Sequence, residues 1–325
     1  MPLSQPLPPL DAGALDDLVT VRDWLRLGVS RFEAAGLAYG HGTSTALDEA
    51  AFLILHTLHL PVDQLEPWLD ARLTRSERLA VRDIVETRIA TRKPSPYLTN
   101  AAYIQGHRFY VDERVIVPRS FIGELLGDGM SALIPERDAV LRVLDLCTGS
   151  GCLAILAALT FPNAAVDAVD ISADALAVAA RNVRDFGLGD RVTLHEGDLF
   201  APLHGPCYDL ILTNPPYVDT AAMRALPPEY GHEPALALAA GADGLDVIKR
   251  IMADAGAHLM PHGAILAEIG RCRPAFDAAF PGLEPVWLET EASRDEVFWL
   301  TAEGLAAAAR PGRSHAGRRK GRKSL

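Results

Sequence analysis

At 325 residues, 49% of them hydrophobic and 22% charged, the chain is long enough for a catalytic domain with a smaller companion, and no apolar run approaches the roughly 20 residues that a bilayer span requires. The net charge of −11 is unevenly spread: residues 310–325 carry seven Lys/Arg and no acid, which leaves 24 basic against 42 acidic residues, about −18, on the body; such a body is a poor general nucleic-acid binder. Cys147, Cys152, Cys207 and Cys272 show no C-x-x-C spacing and no nearby histidine pair, which argues against a metal site and fits reduced thiols in a cytoplasmic protein.

Residues 1–10, with four prolines and no charge, read as a disordered start without a secretory or transit signal. From 11 to 95 the pattern is helical: Leu18, Val21, Trp24, Leu25 and Val29, then Ala51, Leu53, Leu55 and Leu58, recur at helical spacing. Asp48 or the Thr43-Ser44-Thr45 cluster offers a cap for the second helix, and Pro61 marks its end. This part is a small all-α domain without a catalytic constellation. Residues 96–120 turn β-rich, with strands expected at 103–111 and 114–117 and Asp112-Glu113 as the turn of a hairpin linking two domains. Pro118 ends that hairpin, and 121–133 reads as a helix.

From residue 140, strands expected at 141–146, 165–169, 192–195, 210–213, 264–268, 286–289 and 297–300 alternate with helices that include 152–159, 173–186, 244–258 and 273–280. Such alternation predicts an α/β fold with a mostly parallel, doubly wound sheet. Ligands of such sheets bind beyond the carboxyl ends of the strands, near the switch point. A catalytic domain would span 121–304. Residues 305–325 read as a basic disordered tail, either a weak tether to RNA or the ribosome or simply a solvated end.

The first strand of the series ends in Asp145-Leu146-Cys147-Thr148-Gly149-Ser150-Gly151-Cys152. Its glycines let the backbone approach a ligand closely, but dinucleotide proteins and packed turns share Gly-x-Gly, and Ala154 leaves the G-x-G-x-x-G fingerprint incomplete. Asp170, at the tip of the second strand, is placed to accept from ribose hydroxyls, or to cap the helix before Ser172. After the third strand, Asp198 can accept from an adenine amino group while Leu199 packs on the ring; the alternative is an ordinary turn.

The fourth strand is decisive, because it runs into Asn214-Pro215-Pro216-Tyr217. Two prolines fix φ and remove two donors, so the carbonyls of the turn can point outward. A planar amide or amino nitrogen is a feeble nucleophile, since its lone pair is delocalised. The Asn214 side-chain oxygen and the Pro215 carbonyl can accept its two N–H protons while Tyr217 covers its flat face. Such positioning supplies several kcal/mol of a barrier, up to roughly 7–11 in ideal cases. Asn214, Pro215 and Tyr217 are therefore the candidate catalytic residues. Glu268, at a strand end, is an electrostatic helper or a structural acid, and His107 and His232 read as hydrogen-bonded structural residues.

With these motifs the sequence resembles the Rossmann-like methyltransferases, and among them the HemK-type protein-(glutamine-N5) methyltransferases, over about residues 53–300. The resemblance implies a helical substrate-recognition domain joined by a β-hairpin to the catalytic domain, with S-adenosyl-L-methionine as cofactor. It puts Thr148, Gly149, Ser150 and Gly151 beside the methionine part, Asp170 at the ribose, and Asp198 with Leu199 at the adenine. Asn214 would face both cofactor and substrate, and Asn214, Pro215, Pro216 and Tyr217 would hold a glutamine amide. The run Phe109-Tyr110-Val111-Asp112-Glu113-Arg114-Val115-Ile116-Val117-Pro118-Arg119-Ser120, followed by Phe121-Ile122-Gly123-Glu124-Leu125-Leu126, resembles the branch that methylates a glutamine of large-subunit ribosomal protein L-three. His232-Glu233-Pro234 and Gly241-Ala242-Asp243-Gly244-Leu245 point the same way. The release-factor branch typically reads Ile-Pro-Arg-Pro-x-Thr-Glu here, and usually has glycine in place of Cys147. The implied activity is S-adenosylmethionine-dependent N5-methylation of a glutamine in that ribosomal protein, with no metal and no membrane partner. The rivals are a release-factor glutamine methyltransferase, a DNA adenine-N6 methyltransferase, which must extract its base from the duplex, and a non-catalytic ribosome-associated binding protein.

Overall fold

The computed structural model describes residue 10 and residues 13–205, 207–291 and 293–308, so the expectations for residues 1–9 and for most of the basic tail lie outside the described residues. Among the described residues five α-helices come first: α1 (Ala14–Asp17), α2 (Val21–Ala34), α3 (Ala46–Thr57), α4 (Arg75–Thr91) and α5 (Ser95–Thr99). Capping boxes Thr20/Asp23 and Thr74/Glu77 start α2 and α4, satisfying amides that the first turn leaves unpaired. Thr45, not Asp48, caps α3. Trp24, Phe32, Leu53, Ile54, Val81 and Val85 form the buried centre of this helical part, and the Trp24 indole donates to the Leu18 carbonyl at 3.0 Å.

The hairpin is shorter than expected and turns elsewhere: β1 (Ala102–Ile104) pairs with β2 (His107–Phe109) across Gln105-Gly106. Both turn residues have positive φ, 50° and 73°, the backbone that a two-residue hairpin favours. Asp112-Glu113 joins no strands. The Asp112 carboxylate accepts from the Arg114 amide and pairs with its guanidinium, closing a local turn, and 114–117 runs on as an irregular segment. Helix α6 (Phe121–Gly127) stops short of residue 133, because Gly129 and Met130 take φ of 74° and 52°, which no right-handed helix admits.

The remaining elements are β3 (Arg142–Leu146), α7 (Cys152–Thr160), β4 (Ala165–Asp170), α8 (Ala173–Asp185), β5 (Val192–Glu196), β6 (Tyr208–Thr213), α9 (Thr220–Ala225), α10 (Asp246–His258), β7 (Leu259–Glu268), α11 (Arg273–Ala279), β8 (Val286–Leu288), β9 (Val297–Thr301) and α12 (Ala302–Ala308). The strands form one sheet in the order β5-β4-β3-β6-β7-β9-β8. Strands β3 to β7 run parallel, and β9 is antiparallel to both of its neighbours. Apolar cores cover both faces, which is why the central strands read as continuous apolar runs. The strand order reverses between β3 and β6, and that crevice is where a ligand of such a sheet belongs. The expected tail begins within α12, where Leu305 packs on the core beneath it, so residues 305–308 are helical and not part of a disordered segment. Among the described residues no helix is long and apolar enough to cross a membrane.

Candidate active site

The turn after β3 is built around a buried acid. Asp145 accepts the Thr148 hydroxyl at 2.5 Å and the Ala154 amide at 3.0 Å on one oxygen. Its other oxygen is buried without a partner among the described residues. Burial pushes the carboxyl up to about 7, against the pull of those two donors. The turn passes through Cys147, Gly149 and Gly151 at positive φ. A Cβ added to Gly149 would meet nothing within 4 Å, so this backbone borders open space. Thr148 and Ser150 are buried within the turn; the Ser150 carbonyl accepts from Asn182 at 2.8 Å.

One cavity lies over the carboxyl ends of β3, β4 and β6. Gly149, Asp170, Asp198, Leu199, Asn214 and Pro216 stand on its wall, and Cys147 and Arg250 join them there. Thr148, Ser150, Gly151, Pro215 and Tyr217 lie outside this lining. Asp170 takes the Gly149 amide on one oxygen and the Ser172 amide on the other, each at 2.9 Å. Burial raises its carboxyl, and those amides hold the rise in check; each oxygen keeps a second lone pair. Ser172 caps α8 itself, so Asp170 braces the cap as well as the glycine turn. Asp198 is held through one oxygen by Arg250 at 2.6 Å. The segments 114–116 and 234–239 contribute the facing wall, with Leu236 largely exposed.

Beyond β6 the chain enters Asn214-Pro215-Pro216-Tyr217. Neither the Asn214 side chain nor the Pro215 carbonyl is hydrogen-bonded to a described residue, whereas the Cys272 thiol donates to the Tyr217 carbonyl at 3.3 Å. The Tyr217 ring lies on Gly270, where a Cβ would come within 2.6 Å of it. Its hydroxyl donates to Glu268 at 3.2 Å. Burial carries the Glu268 carboxyl to about 7, opposed by the Ser120 hydroxyl, the Phe121 amide and Tyr217. Glu268 is thus a buried acid that meets the Tyr217 hydroxyl from behind its ring. His107 packs against Phe186, and His232 bridges Glu113 and the Thr91 carbonyl; neither lines the cavity.

Sequence reading passed over Asp145, Arg250 and the facing wall. Asp145 carried a signal, an acid in the buried run Leu144-Asp145-Leu146. Arg250 carried none, for its partner is 52 residues away. Among the described residues no group of three or more His, Cys, Asp or Glu is placed to hold a metal ion.

The chain is similar to known methyltransferases. The family described as methyltransferase small domain matches residues 125–226. The chain is 56% identical over 289 residues to the ribosomal protein uL3 glutamine methyltransferase of Bordetella pertussis, covering 89% of this chain and 97% of that relative. It is 58% identical over 295 residues to the protein of the same name from Bradyrhizobium diazoefficiens, covering 89% and 92%. The Neisseria meningitidis serogroup B relative, also of that name, is 53% identical over 292 residues, covering 90% and 96%.

Proposed function

Because the chain belongs to the ribosomal protein uL3 glutamine methyltransferase family, we propose that it transfers a methyl group from S-adenosyl-L-methionine to the side-chain amide nitrogen of a glutamine in ribosomal protein uL3. The observation that carries this reading is the Asn214-Pro215-Pro216-Tyr217 turn, set at the end of β6 beside a cavity walled by Gly149, Asp170 and Asp198. The cavity suits the cofactor: open space at Gly149, an acid with spare lone pairs at the tip of β4, and apolar Val169 and Leu199.

S-adenosyl-L-methionine supplies an electrophilic methyl group on a sulfonium sulfur. Gly149 admits its methionine part past the turn that Thr148, Ser150 and Gly151 shape. Asp170 accepts from the ribose hydroxyls, and Asp198 accepts from the adenine amino group while Leu199 packs on the ring. Asn214 and Pro215 accept the two N–H protons of the glutamine amide, and Pro216 and Tyr217 wall the slot. Methyl transfer would place positive charge on the amide nitrogen, and the same two acceptors would stabilise it. The surplus proton then passes to water, so no strong base is needed. The helical part, 14–99, serves as the recognition surface for uL3.

Purified protein with labelled cofactor, offered uL3, a peptide release factor and duplex DNA, tests the reading. Label is expected on a uL3 glutamine, and Asn214→Ala should lower turnover at least about hundredfold while leaving the fold intact. Label on release factor alone, or on DNA, would overturn it, and cofactor binding with no transfer anywhere would favour a binding protein.

A further inference from the structure

Residues 117–121 are strung between two buried acids. At one end the Val117 amide and the two terminal guanidinium nitrogens of Arg119 donate to Glu233, at 3.0, 2.6 and 2.8 Å. His41 of the helical part lies 3.6 Å from the same carboxylate. At the other end the Ser120 hydroxyl and the Phe121 amide donate to one oxygen of Glu268, at 2.7 and 2.9 Å. The second oxygen of Glu268 takes the Tyr217 hydroxyl. Glu268 is 1% exposed, and a carboxyl so buried is tolerated only when its oxygens are engaged. Tyr217 is fixed from two sides, by Gly270 beneath its ring and by Glu268 at its hydroxyl.

We propose that Glu268 is a positioning residue for methyl transfer: it holds Tyr217 by the hydroxyl in its place along the acceptor slot and, through Ser120 and Phe121, ties that slot to the segment seated on the helical part. This rests on the functional reading above. Glu268 touches neither amide nor cofactor and acts through Tyr217. The contacts thus form a relay from His41 of the helical part through Glu233, residues 117–121 and Glu268 to Tyr217.

The test uses the full chain, with Tyr217→Phe, Glu268→Ala, Ser120→Ala and the double variant Glu268→Ala/Tyr217→Phe. For each, kcat and KM on uL3, cofactor affinity and melting temperature are measured. Losing a hydrogen bond to a charged or buried acid should lower kcat about ten- to hundredfold in Glu268→Ala, with KM and cofactor affinity unchanged. The double variant should be no slower than the slower single one, as expected for residues acting through one contact. Independently, tyrosine labelled with carbon-13 at Cζ should show the Tyr217 resonance moving in Glu268→Ala. Should that variant not fold, Ser120→Ala takes one donor from Glu268, along with the α6 cap that Ser120 gives the Ile122 amide, and is expected to move the same resonance with a few-fold fall in kcat. Multiplicative losses in the double variant, wild-type kcat in folded Glu268→Ala, or an unmoved Tyr217 resonance in the folded variants would each overturn the proposal. The resonance is read without protein substrate, so it judges Glu268 even if uL3 is not methylated, an outcome that would sink the functional reading instead.

Discussion

Gly270 has φ of +52° and sits under the ring of Tyr217, where a Cβ would intrude to 2.6 Å. Replacing it by alanine combines a left-handed backbone, unfavourable for a side chain, with a push on the slot wall. We expect Gly270→Ala to lower kcat by about ten- to hundredfold, since displacements near 1 Å at a reacting centre have that effect, while calorimetric cofactor affinity stays at wild type. Unchanged turnover would show that the ring's position is immaterial. At this scale, legibility followed distance along the chain. Asn214-Pro215-Pro216-Tyr217 is contiguous, and Asp170 ends a strand that announces itself, so both were readable. The Tyr217–Glu268, Ser120–Glu268 and Asp198–Arg250 contacts join residues 51, 148 and 52 positions apart. Local pattern carries no information about such pairings.

Among the elements, the parallel strands were legible because burial on both faces imposes unbroken apolar runs on them. The hairpin was misread because alternation extends past its true end, and two positive φ values at Gln105-Gly106, not the charged Asp112-Glu113, decide where the chain reverses. Nor did any pattern announce that the loop after the slot, 228–233, plugs into the helical part. There Glu229, fully buried, takes the Ala38 amide at 2.9 Å and Arg92 at 2.7 Å, with Arg88 at 3.9 Å. Glu229→Ala removes the acceptor of the Ala38 amide and of Arg92, while the buried Arg88 keeps Glu49, and should cost about 1–3 kcal/mol in urea unfolding. A change within error would mean the plug adds nothing to stability. Glu233, four residues on, adds a pH dependence. Burial would raise its carboxyl, but His41 and Arg119 overcome that and hold it at about 2, below the ordinary 4.5. A carboxyl depressed in the folded state stabilises above its unfolded value and loses that contribution as pH falls through the folded one. The melting-temperature gap between wild type and Glu233→Gln should therefore be full above about pH 4.5 and shrink toward pH 2. A gap constant over that range would refute the assignment.

Charge is arranged on the scale of the whole molecule. A body of about −18 repels phosphate, and seven cations after residue 309 oppose it from one end. The acidic body argues against duplex DNA as substrate, since phosphate neutralisation dominates such binding. If the tail helps only where RNA is present, it should be dispensable on free substrate. The cut belongs after Ala308, because removing Leu305 would open the core under α12. Truncation there should leave kcat and KM on free uL3 at wild type. On ribosomal particles bearing RNA it should weaken binding and flatten its salt dependence, by up to about five in the slope of log K against log salt for seven cations on single strands. Binding to particles at two or more salt concentrations, with turnover on free uL3 alongside, separates the outcomes. Lost turnover on the free protein would make the tail part of the catalytic machinery, and an unchanged salt slope would leave it no role as a tether, because a cationic segment that contacts phosphate must release counterions when it does so.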